Sequence, residues 1–288
     1  MIKDGIEDMK GKTVLKNLFK TDSESDNESS SEEEGIEEEE SRRVLISESS
    51  TFLPPSSSTF TSSMSGITIS ICEEKHKGIA FQLWPAARLL CNYIDEHRDD
   101  QYISCHISSS SNGVIIELGA GIGLCGLYLS ACGASHVVIT DLKEALGIME
   151  KNINLNLGCN SIGGNTNRIV EAKELKWGCK QDIENIFATL SCNVDVPPLI
   201  VASDCVYWEC LFTPFFDTLC ILVEEYNCTV LISHVKRWKK DEKFFAMCRR
   251  KMNIDILKED VCYVKEENSL SGKERRQVSR IYKISKKS

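Results

Sequence analysis

The chain has 288 residues, is 42% apolar and carries a formal net charge of −9, which is enough apolar material for one full domain with an appendage. Residues 1–65 hold 15 acidic and 7 basic side chains, so the net charge of the remainder is only −1. This near-neutral remainder argues against a broad nucleic-acid-binding surface, and no apolar run approaches transmembrane length. We therefore expect neither nucleic acid nor a membrane as a partner.

The 14 cysteines are irregularly spaced and form no C-x-x-C motif. Several lie inside apolar runs, where cysteine behaves as a small hydrophobic residue. The first residues resemble neither a secretory signal nor a transit peptide. We expect a reduced, intracellular protein without a metal site, located in the cytoplasm, with the nucleus as a further location.

Residues 21–40 form an acidic, serine-rich run, and residues 49–63 are rich in Ser, Thr and Pro. Such segments bury too little apolar surface to offset the entropy of ordering. We therefore predict a disordered leader over residues 1–65 and one folded domain over residues 66–288. A solubilising tail is the favoured role of the leader, and a phosphorylatable interaction arm is the alternative.

The first ordered elements alternate between strand and helix patterns. Residues 67–71 alternate apolar and polar side chains as a strand does, and Pro85 begins a helical apolar pattern. After a predicted polar loop over residues 98–112, a β-branched strand leads into a glycine turn at residues 119–123. A helix and a second apolar strand, ending at Asp141, follow.

The later elements continue this alternation. We predict helices over residues 142–156, 211–225 and 238–250, and strands over residues 168–174, 198–203, 229–233, 253–265 and 277–285. The alternation predicts an α/β fold: a Rossmann-like, seven-stranded, mostly parallel sheet with an antiparallel C-terminal hairpin and helices on both faces.

The glycine turn distinguishes between nucleotide ligands. The dinucleotide fingerprint is G-x-G-x-x-G, whereas Gly119, Gly121 and Gly123 form G-x-G-x-G and follow Glu117. A nearby carboxylate would repel a pyrophosphate but suits a cationic ligand. S-adenosylmethionine carries a sulfonium and an ammonium and has no phosphate. Glu117 therefore favours S-adenosylmethionine over a nicotinamide dinucleotide.

Residues suited to ligand binding follow four predicted strands: the Glu117–Gly123 turn, Asp141, Trp177 and Asp204. Open α/β sheets bind ligands at the carboxyl ends of their strands. Asp141 lies where such folds place the carboxylate that accepts ribose hydroxyls. These positions predict one shared ligand site.

The run at residues 117–127 resembles the cofactor turn of class I, seven-β-strand methyltransferases. Leu83-Trp84-Pro85-Ala86-Ala87 and the D-x-x-Y element Asp204-Cys205-Val206-Tyr207 narrow the resemblance to the methyltransferase family 16 group of protein lysine methyltransferases. Several segments look especially like plant members. The resemblance covers residues 67–285. In one departure, many relatives have Asp where this chain has Pro85.

The resemblance implies a role for each matching residue. Glu117 and Gly119 would hold the methionine end of S-adenosylmethionine, within a turn that Gly121 and Gly123 complete. Asp141 would hold the ribose, Trp177 would flank the adenine, Ala202 would line the pocket by its backbone, and Trp84 would close over the cofactor. Asp204 and Tyr207 would form the catalytic channel for the target amine.

The implied activity is S-adenosylmethionine-dependent methylation of a lysine in a protein, with a chaperone or translation factor as the family's usual substrate and a monomeric enzyme. A small-molecule acceptor and a non-enzymatic interaction protein on the same fold remain as alternatives. An open acceptor mouth would favour a protein, and a lidded one a small molecule. The basic run Lys236–Lys240 could dock an acidic substrate, but we expect it to be a solvated face.

Overall fold

The computed structural model describes residues 56–108, 113–157, 168–190, 196–265 and 274–287. The strands in these ranges are β1 (Ser56–Thr61), β2 (Thr68–Glu73), β3 (Val114–Leu118), β4 (His136–Asp141), β5 (Ile169–Glu174), β6 (Leu199–Ser203), β7 (Thr229–Lys236), β8 (Met252–Lys265) and β9 (Glu274–Lys286). The α-helices are α1 (Pro85–Glu96), α2 (Gln101–Ile107), α3 (Leu124–Cys132), α4 (Leu146–Leu157), α5 (Lys180–Thr189), α6 (Phe212–Cys220) and α7 (Asp241–Lys251).

Seven strands form one sheet in the order β5-β4-β3-β6-β7-β9-β8. The five strands from β5 to β7 run parallel, and β9 pairs antiparallel with both β7 and β8. The predicted sheet, with its antiparallel C-terminal hairpin, is confirmed. The chain moves outward from β3 to β5 and then returns to β6 beside β3. This reversal leaves a crevice at the carboxyl ends of β3 and β6.

The parallel strands β3, β4, β6 and β7 are buried on both faces, and their side chains alternate between two apolar layers. Ile115, Val137 and Val201 pack with helices α1 to α4 on one face. Ile116 and Val138 pack with helices α5, α6 and α7 on the other. Burial on both faces explains why β3 and β6 are apolar throughout, apart from Glu117 and Ser203.

Three elements depart from the sequence-based assignment. Residues 1–55 of the predicted leader lie outside the described residues, but Ser56–Thr61 form β1, which pairs with β2. Phe60 is only 3% exposed and packs edge-on against Tyr128, so one aromatic anchors an otherwise polar strand. The predicted loop at residues 98–112 contains α2, and α5 was not predicted.

Two asparagine side chains of α4 hydrogen-bond to the backbone of β2 in the way that a neighbouring strand would. Asn152 accepts the backbone N–H of Cys72 and donates to its carbonyl, and Asn156 makes the same two bonds with Ser70. Asn152 also donates to the carbonyl of Ile122, within the glycine turn. These amides satisfy the free edge of the small sheet and tie it to the crevice.

The length and composition of the described helices bear on whether one of them could span a membrane. Among the described residues, no helix combines the length and the apolar composition needed to cross a bilayer.

We predict that Asn152→Leu lowers the free energy of unfolding by about 3 kcal/mol, because buried backbone groups of Cys72 and Ile122 lose their partners. Asn154 lies on the same helix but is exposed, so Asn154→Ala is the matched control. Urea unfolding of both variants measures the difference. Equal stability of the two variants would contradict a structural role for the buried amide.

Candidate active site

A cavity of about 610 Å³ lies at the carboxyl edge of the sheet, within the size range of small-molecule sites. All four tryptophans of the chain line it: Trp84, Trp177, Trp208 and Trp238. Segments that follow five strands, β3 to β7, supply its walls. The reversal of strand order therefore brings distant segments of the sequence into one site.

The glycine turn forms the floor of the cavity. Gly119, Gly121 and Gly123 have φ values of +58°, +54° and +83°, a region that residues with a Cβ rarely adopt. A Cβ on Gly119 would lie 2.7 Å from Cζ2 of Trp177 and 2.9 Å from Sγ of Cys205. The missing side chain therefore lets Trp177 pack directly against the backbone of the turn.

Asp141 is fixed beside this turn by two backbone donors. Its carboxylate accepts the N–H of Gly121 at 2.8 Å and that of Leu142 at 2.7 Å. Burial raises its pKa, and these two hydrogen bonds offset part of that shift. The result is a carboxylate held in one orientation on the cavity wall.

Glu117 lies behind the turn and is not among the residues that line the cavity. Its Oε2 accepts the N–H of Gly126 at 2.7 Å, near the start of α3, and thus satisfies one of the helix's free amides. Its Oε1 is buried and lacks a hydrogen-bond partner. Burial raises the pKa of this carboxyl to about 8. Glu117 therefore supports the turn from beneath.

Trp84 and Trp177 line the cavity, and each ring is fixed by a neighbouring group. Trp84 precedes α1, which begins at Pro85 as predicted, and its indole N–H donates to the carbonyl of Ile79 at 2.8 Å. Trp177 follows β5 and packs against Phe215 with ring centroids 4.5 Å apart. Phe215 lies outside the lining and supports Trp177 from behind, whereas Ile79 is a lining residue beside Trp84; both indole rings line the cavity.

The D-x-x-Y element follows β6. Asp204 has a φ of +59°, which is uncommon for a residue with a side chain, and it lies on the cavity wall. Its two carboxylate oxygens accept hydrogen bonds from both terminal nitrogens of Arg237, at 2.7 and 2.5 Å. The half-buried Tyr207 lines the same region, and burial raises its pKa well above the usual value.

The position of Arg237 differs from the expectation that the basic run Lys236–Lys240 is a solvated face. Helix α7 begins at Asp241, and the preceding residues form a turn instead of a solvated helical face. The Asp241 carboxylate accepts the N–H groups of Arg237 and Trp238, each at 3.1 Å. This turn directs the Arg237 guanidinium into the cavity, where it lies 5.4 Å from the centroid of the Trp84 ring.

Seven of the ten predicted site residues line the cavity together: Trp84, Gly119, Gly121, Asp141, Trp177, Asp204 and Tyr207. Three lie behind its wall: Glu117, Gly123 and Ala202, the last fully buried in β6. Trp208, Arg237 and Trp238 were missed. Arg237 follows β7, so the rule that ligands bind at strand ends could have identified it.

The cavity fits S-adenosylmethionine. Its walls combine aromatic rings with the carboxylate of Asp141, which suits a ligand that carries cationic groups and a ribose. Gly119 and Gly121 line the cavity without side chains of their own, so a ligand can approach the backbone of the turn. Lys176 and Arg237 are the only basic residues among the described residues that line it, and Asp204 neutralises the second.

Comparison with known proteins agrees with this geometry. A family model described as lysine methyltransferase matches residues 63–251. The protein-lysine N-methyltransferase EFM6 of Saccharomyces cerevisiae is 31% identical over 66% of this chain and 76% of its own length. The protein N-lysine methyltransferase METTL21A of Danio rerio is 30% identical over 71% of this chain and 82% of its own length. The chain therefore belongs to the lysine methyltransferase family and is an S-adenosylmethionine-dependent enzyme, as its motifs predicted.

Proposed function

We propose that this enzyme methylates the ε-amine of a lysine in a folded protein, a chaperone or a translation factor, and acts as a monomer in the cytoplasm or nucleus. The observation that carries the proposal is the open mouth of the cavity. Trp238 lines the cavity yet is 56% exposed, and Cys210 and Lys176 are also exposed lining residues. A site that reaches the surface in this way can admit a side chain that remains attached to a protein.

The half of the cavity that we assign to the cofactor is formed by the segments that follow β3, β4 and β5. We assign Gly119 and Gly121 to the methionine end, Asp141 to the ribose hydroxyls and Trp177 to the adenine. Trp84 closes over the cofactor. Glu117, Gly123 and Ala202 act indirectly, because they shape the turn and the strand beneath it. When bound, S-adenosylmethionine supplies an electrophilic methyl group on a sulfonium.

In the acceptor half of the cavity, the substrate lysine must be present as a neutral amine. A lysine has a pKa of about 10.4 in water, and its ammonium form has no lone pair for attack. Entry into the cavity removes water from around the amine, and this loss of hydration disfavours the charged form, so the proton leaves to water. Held by the residues assigned above, S-adenosylmethionine would supply its methyl group to the lone pair of this neutral amine, and the S–C electron pair would remain on the sulfur as a neutral thioether.

Asp204 and Tyr207 orient the amine for this in-line attack. Both lie on the cavity wall, and the Asp204 carboxylate can accept an amine N–H while it is held by Arg237. Positioning of the two reacting atoms is the main contribution that the protein can make, because the methyl donor is already activated.

The test is to incubate the purified full-length chain with methyl-tritiated S-adenosylmethionine and cell lysate, and to resolve the products on a gel. A discrete labelled protein band is expected, and mass spectrometry of that band identifies the substrate and the lysine. Labelled small molecules without any protein band would overturn the proposal in favour of a small-molecule acceptor.

We predict that Asp204→Ala lowers methyl transfer by roughly 100-fold or more, because the amine loses its acceptor and Arg237 is left unpaired. Calorimetric affinity for S-adenosylmethionine should change little. Glu209 is an exposed acid that pairs with Lys243 at 2.6 Å and lies outside the cavity lining, so Glu209→Ala is the matched control. Full turnover by Asp204→Ala would remove Asp204 from the mechanism.

We predict that Gly119→Ala weakens binding of S-adenosylmethionine by about tenfold or more, because a Cβ would strain the turn and displace Trp177. Gly147 lies in α4 with open space around it, so Gly147→Ala should leave the affinity unchanged. Isothermal calorimetry on both variants makes the comparison. Equal affinity of the Gly119 variant and the wild type would contradict the proposed cofactor position.

A further inference from the structure

The ion pair between Asp204 and Arg237 connects the two segments that form the acceptor wall. Both oxygens of Asp204 are bound by the guanidinium, and the Asp204 side chain is 4% exposed, against 24% for Arg237. Building on the proposed function, we infer that Arg237 is a positioning residue that neutralises Asp204 and so keeps the acceptor lysine in its reactive, uncharged form.

The physical argument starts from what an unpaired Asp204 would do. A free, buried carboxylate on the acceptor wall would attract the lysine as an ammonium ion and stabilise that form. The resulting salt bridge would improve binding but remove the lone pair that the reaction requires. With Arg237 in place, the carboxylate already has its counter-ion, and the guanidinium repels a second cation. The same oxygens can still accept an N–H from a neutral amine.

The guanidinium is suited to this task because its charge and its position are both fixed. Arginine stays protonated throughout the working pH range. Asp241 holds the backbone of the turn, and one guanidinium nitrogen also donates to the Val235 carbonyl at 3.4 Å. Arg237 therefore has local partners that hold it on Asp204 without a contribution from substrate.

The other charged or titratable groups around the site leave this balance in place. Asp141 is held by its two backbone donors on the cofactor side, and Lys176 is an exposed cation. Behind the turn, His234 lies 3.3 Å from Asp241 in a buried contact between β7 and α7. The remaining titratable groups that line the cavity are Cys205, Tyr207 and Cys210.

The first test is the pH profile of methyl transfer to the protein substrate recovered from the labelled band. With Arg237→Gln, the acceptor ammonium should be stabilised, so the rising limb of the kcat profile should move up by about one pH unit. The deficit should therefore be large near pH 7 and shrink above pH 9. Arg237→Lys keeps the positive charge and should stay close to the wild-type profile. A parallel loss of kcat at every pH, with no shift of the limb, would overturn the inference.

The second test needs no substrate protein. Calorimetric titration with n-butylammonium, in the presence of S-adenosylhomocysteine, probes the acceptor pocket with a cation shaped like a lysine side chain. Arg237→Gln should bind this cation about tenfold more tightly than the wild type does, and Asp204→Asn combined with Arg237→Gln should abolish the gain. Binding of uncharged n-butanol, which reports the shape of the pocket, should be equal in all three proteins.

The outcomes separate this inference from the proposed function. Equal or weaker n-butylammonium binding by Arg237→Gln would overturn the role of Arg237, whatever the substrate is. Absence of any labelled protein band with the wild-type enzyme would instead overturn the proposed function, and the titration would still decide whether Asp204 is neutralised. Thermal unfolding of each variant confirms that the comparison is made on folded protein.

Discussion

The pairing of β3 with β6 is the constraint on which the site depends. These strands are far apart in the sequence but lie side by side, with Glu117 opposite Val201 and Leu118 opposite Ala202. Their carboxyl ends therefore place the glycine turn next to Asp204. In the proposed function, one strand supplies the cofactor floor and its neighbour supplies the acceptor wall. The reversal of strand order would then bring a methyl donor and an acceptor within reach of each other.

The carboxylates around this edge are held in three different ways. Glu117 is fully enclosed beneath the turn, where its raised pKa reflects the cost of burying a charge. Asp141 receives two backbone N–H groups and stays on the cavity wall. Asp204 is balanced by a cation from a third segment. Only the last arrangement depends on another side chain, so it is the one that a single substitution can switch.

Much of the fold was predictable because its signals are local. The apolar run of β3, the three glycines and Pro85 at the start of α1 each specify their own backbone conformation. The β1 strand was missed because its polar composition hides a single anchor, Phe60, whose partner Tyr128 is distant in sequence. Helix α2 was missed for a related reason. Its seven residues lie within a stretch whose polar neighbours resemble a loop.

The site was less predictable where orientation matters more than position. Glu117 lies two residues before Gly119, the first residue of the glycine turn. Its carboxylate nevertheless points to the amide of Gly126 and is not part of the cavity lining. In a strand, successive side chains point to opposite faces, and the sequence alone does not show which face the cavity occupies. Arg237 shows the converse: it was not predicted as a site residue, because it lies in a basic run that normally indicates solvent exposure, yet its side chain lines the cavity. Its direction depends on Asp241, which begins the next helix.

The two halves of the cavity consequently differ in how they can change. The half that we assign to the cofactor relies on backbone features, namely left-handed glycines and amide donors, that few substitutions preserve. The half that we assign to the acceptor relies on side chains in the segments after β6 and β7, including Tyr207, Trp208 and Trp238. Those segments can vary without disturbing the strand pairing beneath them. The same fold can therefore keep one methyl donor while the identity of the acceptor is set by the residues around the Asp204–Arg237 pair.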